Sequence, residues 1–181
     1  MFNLIVKPTS EQKLFLAKVR AAMEHSFGDD QKRIEHALQV CRYAEELLTF
    51  IDADPVLTLT SAYLHDIGIH EAERKHGSSA GNWQELEGPP VAVAILTELD
   101  ADLAFITRVA EIVGKHHTAR AVDSPEFRIL WDADALVNFA EVLSSRSAEQ
   151  VESILRKHMV TEPGLQMARQ LFIRESVRSE E

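Results

Sequence analysis

Apolar side chains recur along this chain at a helical period and almost never at the period of two that a half-buried strand requires. Residues 34–48 show it well: Ile34, Ala37, Leu38, Cys41, Ala44, Leu47 and Leu48 follow a 3.6-residue repeat. Helix punctuation agrees with the pattern. Thr9 or Ser10 caps a first helix that ends at Gly28, and Asp29–Asp30 open a second with acidic groups at its positive end. Pro55, after Asp54, starts a third that stops near Gly68. Residues 69–76 read as short and irregular. Ser78 or Ser79 begins a short helix ending before Gly88, and Pro89–Pro90 separate it from another over Val91–Leu99. Further helices are expected at about 103–116, from Pro125 through Ala140, at about 147–158 and at about 163–178. Only Leu4–Val6 resembles a strand. The expected fold is all-α: a single compact helical domain of seven to nine helices over residues 1–181, with its core at about 30–140 and C-terminal helices at about 147–178.

Charge narrows the partners. Asp and Glu number 29 against 19 Lys and Arg, a formal net charge of −10, so the broad basic face of a nucleic-acid binder is not expected. A small anion stays open, because a local patch or a bound cation overrides the overall sign. No apolar run approaches the roughly 20 residues of a membrane helix. The stretch MFNLIVKPTS lacks a signal-peptide layout. Cys41 is the single cysteine, which rules out an internal disulfide and points to a reducing compartment, the cytoplasm. A homodimer is left open.

Polar groups interrupt the apolar stripes. His36 lies in the series His36, Val40, Tyr43, Leu47, and Asp132 in the series Asp132, Leu136, Phe139, Leu143, both spaced four, three and four along one helix face. His65 and Asp66 end the apolar run Ala62–Leu64. Each has an ordinary reading alone: His36 as a hydrogen-bonded core residue, Asp66 or Asp132 as a cap, His76 as a loop residue, His116–His117 as a helix end near its negative pole. Together they put nitrogen and oxygen donors from three separate segments at inward positions, where charge is costly unless paired or metal-bound. A divalent metal resolves that cost. Imidazole and carboxylate suit Fe, Mn, Zn, Co or Ni, and no thiolate cluster asks for a softer site. Cys41, five residues after His36, points off that histidine's face and reads as core. One carboxylate at His65–Asp66 can bridge two ions, with His76 and His117 completing the second. No G-x-x-x-x-G-K-[ST] loop is present.

The order His36, His65-Asp66, Asp132, with the strings Leu64-His65-Asp66-Ile67-Gly68 and Leu130-Trp131-Asp132-Ala133-Asp134-Ala135-Leu136, resembles the HD-domain superfamily of metal-dependent phosphohydrolases. The resemblance spans about residues 30–140. It implies that His36, His65, Asp66 and Asp132 hold a first metal. The string His76-Gly77-Ser78-Ser79-Ala80 and the later His117-Thr118 are similar to members with two irons or other paired ions, which implies a second site on His76 and on His117 or its neighbour His116. The nine residues between Asp66 and His76 form a shorter interval than in some dinuclear members. The implied cofactor is one or two divalent ions from Fe, Mn, Zn, Co, Ni or Mg.

The implied activity is hydrolysis of a phosphoester or phosphoanhydride in a nucleotide or another small phosphorylated molecule, with Asp66 at its centre. Lys115, Arg120, Arg74 and Lys75 flank the proposed ligands as candidates to contact phosphate, or are solvated helix ends. Glu71 is a candidate to position the attacking water, or a surface cap. A metal-stabilised regulatory or sensor domain without turnover, and a diiron oxygenase on the same scaffold, are the alternative readings.

Overall fold

The computed structural model describes residues 8–178, and it is helical, with no strand among them. In chain order the helices are α1 (Ser10–Phe27), α2 (Gln31–Leu47), α3 (Pro55–Leu64), α4 (Ile69–His76), α5 (Gly81–Glu98), α6 (Leu103–Val113), α7 (Pro125–Val142), α8 (Ala148–His158) and α9 (Glu162–Arg178). The strand candidate Leu4–Val6 lies outside the described residues.

Local chemistry sets most starts. Thr9 and Gln12 close a reciprocal capping box on α1, and Ser147 and Gln150 do the same on α8. Asp30, Asp54, Asp102 and Ser124 each accept from a backbone amide of the first turn of α2, α3, α6 and α7. Pro55 and Pro125 occupy the first helical position, where a missing N–H costs nothing.

Two segments depart from the sequence expectation. Residues 69–76 are helical, because Ile69 and Ala72 share a buried face that no local signal announces. Helix α5 is continuous through Pro89 and Pro90, where a break was expected. Two missing amide donors weaken one turn, but tertiary contact holds that turn in place. A Cβ on Gly68 would collide with the backbone of Gly88, so the 65–68 turn and α5 touch main chain to main chain. The buried Glu87 carboxylate accepts from Lys75 Nζ and from His76 Nε2, tying the end of α4 to the same turn.

Helix α3 forms the centre. It is buried along nearly its whole length and packs on α1, α2, α6 and α7. Leu57, Leu64, Leu47, Phe127 and Met23 are among the fully buried side chains around it. Each such leucine contributes on the order of 2 kcal/mol through burial. Cys41 is part of this core, its thiol turned to the Leu59 carbonyl and pushed up in pKa by burial. Helices α4 and α5 lie together on the α6 side, and α8 and α9 pair against α7. Among the described residues no helix is long and apolar enough to cross a membrane. The C-terminal ends of α3 and α6 and the facing sides of α2 and α7 converge at one end of the central helix.

Candidate metal centre

Two helix ends are finished in the same way. At the end of α3, His65 donates from Nδ1 to the Ala62 carbonyl at 2.8 Å. At the end of α6, His116 donates from Nδ1 to the Val113 carbonyl at 2.7 Å. Both side chains are buried, at 1% and 5% exposure. Each bond satisfies a carbonyl the helix leaves open, and it also fixes the imidazole tautomer so that Nε2 carries a lone pair.

Other elements bring their donors to those nitrogens. His36, from α2, places Nε2 3.2 Å from His65 Nε2. Asp134, from α7, places Oδ1 3.0 Å from His36 Nε2 and 3.7 Å from His65 Nε2. Asp66 lies between two groups: its Oδ2 is 3.5 Å from His65 Nε2 and 3.6 Å from His36 Nε2, and its Oδ1 is 3.3 Å from His116 Nε2. His117 joins Asp66 and His116, with one ligand atom from each inside a 4.8 Å circle.

The set fits divalent ions. Ligand atoms about 2.1 Å from one ion, at angles between octahedral and tetrahedral, stand roughly 3.0–3.4 Å apart. The separations of His36 and His65 from each other and from Asp66 and Asp134 run from 3.0 to 3.7 Å. The His116 Nε2 atom supplies the independent sign: it is buried and makes no hydrogen bond, although a carboxylate oxygen stands beside it. A bare lone pair next to an anion is unfavourable without a shared cation.

The charges agree. Burial works against ionised Asp66, but the surrounding imidazoles outweigh it and hold the carboxyl well below its usual range. Burial likewise opposes Asp134, and the His36 hydrogen bond reverses it. His65 and His117 are lowered, chiefly by burial. His36 and His116 are raised despite burial, His36 by its hydrogen bond to Asp134 and His116 by the charge of the neighbouring Asp66 carboxylate. Metal binding needs both imidazoles neutral. Ion retention is therefore expected to fall as pH drops through the histidine range, starting above the ordinary histidine value because both groups are raised, with more than one proton taken up per ion released. Equilibrium dialysis with elemental analysis across that range checks this, and a pH-independent ion content would contradict it.

A family model for the HD domain matches residues 33–138. The chain belongs to the HD domain family. A solved structure of a predicted HD superfamily hydrolase from an uncultured Thermotogales bacterium is similar to this HD chain, with TM-score 0.61 and 26% identity over 92% of this chain and 89% of that one. No curated protein matches the sequence.

Within this HD fold the expected ligands are redistributed. His36, His65 and Asp66 lie together, and both His116 and His117 reach the cluster. Asp132 does not. It is fully buried on the other side of α7, where it accepts from Val160 N at 2.8 Å, Thr161 N at 2.9 Å and Thr161 Oγ1 at 2.6 Å. Burial pushes its carboxyl up to about 6 even against those donors. Two residues along a helix turn about 200°, so Asp134, not Asp132, faces His36. Asn138, one turn on, donates to Asp134 Oδ1 at 2.9 Å.

His76 is likewise elsewhere. It stacks flat on Trp83, ring centres 3.9 Å apart, and its Nε2 is bonded to Glu87. The helical course of 69–76 turns it toward α5. Glu71 is ion-paired with Arg74 and Lys75, which hold its carboxyl down at about 2, and it is absent from the cleft over the metal cluster. Lys115 is exposed and also absent from that cleft, and Arg120 lines a different hollow with Asp123 and Arg128. Glu85 is an addition that periodicity did not single out: its carboxylate accepts from His117 N at 3.0 Å and Thr118 Oγ1 at 2.9 Å, pinning the turn that carries both histidines.

Proposed function

We propose that this HD chain is a metal-dependent phosphohydrolase that holds two divalent ions and acts on a small phosphorylated molecule. The observation that carries the reading is Asp66, whose two oxygens face two different groups of histidines. His36, His65, Asp66 and Asp134 would hold one ion, and Asp66, His116 and His117 the other. Paired ions supply Lewis acidity there, lowering the pKa of water toward neutrality and polarising a phosphoryl oxygen.

The chain's own groups supply the rest. A cleft of about 410 Å³ opens over the cluster, of a size for a metabolite rather than a polymer. Lys32 and Arg33 stand at it, in the first turn of α2. The Arg33 guanidinium is engaged by Asp30 at 2.8 Å and Glu73 at 2.6 Å. Lys32 has no ion-pair partner among the described residues and is the cation free to meet a phosphate at the mouth.

Phosphate release from a panel of nucleotides and sugar phosphates tests the reading. Activity should vanish with chelator, return with Mn²⁺ or Co²⁺, and persist without oxygen. Lys32→Ala should raise KM by about tenfold, the scale of one charge-assisted hydrogen bond, with ion content unchanged. A fully metal-loaded protein that releases no phosphate from the panel, or that consumes oxygen as it turns over, would overturn it.

A further inference from the structure

Gln84 is a polar side chain at the cleft that the metal centre does not use. It lies on α5, less than one turn after Gly81, and is 7% exposed. It lines the same cleft as His36, Asp66, His117 and Asp134. Gly81 sets the approach: a Cβ there would stand 2.7 Å from His117 Cγ, so the start of α5 rests directly on that imidazole.

The amide is oriented. Gln84 Nε2 donates to the Ser79 carbonyl at 2.7 Å, and a carbonyl accepts only, so the NH₂ end is fixed toward Ser79. Oε1 is then the other end, and it is buried with no hydrogen-bond partner. Orphaned buried acceptors are rare because they cost stability, and in a cleft they mark a place for a ligand's donor.

The chemistry of that donor can be narrowed. Phosphoryl oxygens are acceptors when ionised, so they are repelled by an amide oxygen and drawn instead to cations. Oε1 therefore suits a hydrogen-bond donor on the organic part of the substrate. We propose that Gln84 is a specificity-determining residue that accepts a hydrogen bond from a substrate hydroxyl, which makes the substrate a phosphorylated sugar or polyol, nucleotides included. This rests on the phosphohydrolase reading above.

The test compares two five-carbon phosphate esters, ribose 5-phosphate and pentyl phosphate, on the full-length metal-loaded protein. Their phosphonate analogues, whose C–P bond resists hydrolysis, give binding by calorimetry independent of turnover. The hydroxylated member of each pair should be preferred by about tenfold or more, as for a buried polar group that rejects a ligand lacking its partner. Gln84→Leu should remove that preference by weakening the hydroxylated member alone, without lowering the melting temperature, since the Ser79 residue is exposed and its carbonyl can turn to water. Gln84→Met, of nearly the same length, repeats the comparison if leucine packs badly. Equal loss on both members of a pair, or a preference that survives both variants, would overturn the assignment. Phosphonate discrimination without any phosphate release would instead overturn only the hydrolytic reading.

Discussion

Asp134→Ala is expected to cost the first metal position while leaving the helical domain folded, and Asp132→Ala, two residues away, to do the reverse. Asp134 Oδ1 faces the cluster, 3.0 Å from His36 Nε2, and its other hydrogen bond is with Asn138, one turn on along its own helix. Removing it takes away a charged ligand. Affinity for the ion should fall by more than the roughly 100-fold that loss of an outer-shell partner alone can reach, and activity with it. Asp132 instead gathers three donors from the segment between α8 and α9, while Trp131 Nε1 donates to the His158 carbonyl at 3.0 Å beside it. Alanine there leaves those donors without their acceptor and opens a small void. The expected loss is about 2–4 kcal/mol, or a melting temperature lower by roughly 5–15 °C in a chain of this size. Ion content per folded chain should stay near that of the unaltered protein. Elemental analysis and thermal melts on both variants decide it. Loss of metal from the Asp132 variant with retention in the Asp134 variant would return the ligand role to the residue the helical series selected.

That pair shows where sequence reading succeeds and where it stops. Helix starts were legible because caps and first-turn prolines act within four residues. His36 and His65-Asp66 were legible because a polar group inside an apolar stripe must be satisfied somewhere. Helix α7, however, has two inward sides, one toward α2 and α3 and one toward α9. Periodicity identifies an inward residue without saying which neighbour it meets, so the inward series through Asp132 was real and led to the wrong neighbour. The prolines of α5 failed for a related reason. Their penalty is local, whereas the backbone contact of Gly88 with Gly68 that holds the turn depends on a crossing of distant segments. Gln84 and Glu85 depend on that same crossing. Their chemistry exists only once α5 lies across the 65–68 turn and the histidine pair, and nothing within a few residues of them in sequence foretells it.

Asp66→Asn is expected to release both ions, whereas His116→Ala releases one. The difference follows from the two carboxylate oxygens. Oδ2 faces the nitrogens of His36 and His65, and Oδ1 faces His116 Nε2. An amide can keep an oxygen toward one group only, and toward the other it presents N–H, which donates to an imidazole lone pair and occupies the position of an ion. It also removes the negative charge that offsets two cations lying close together. Hydrolysis should fall by on the order of 10³-fold or more, since both the activation of water and the polarising of phosphate depend on those ions. Stability provides a readout that does not pass through turnover. Metal that binds only the folded state stabilises it by mass action, so the unaltered protein should melt several degrees lower in chelator. The Asp66→Asn protein should melt at one temperature with or without chelator, and no lower than the unaltered protein stripped of metal, because the new N–H satisfies an imidazole that otherwise has no partner. His116→Ala should keep about half of the chelator-sensitive shift and one ion per chain. Two ions retained in Asp66→Asn, or one lost from each variant alike, would mean that the carboxylate does not bridge and that the two histidine groups act separately.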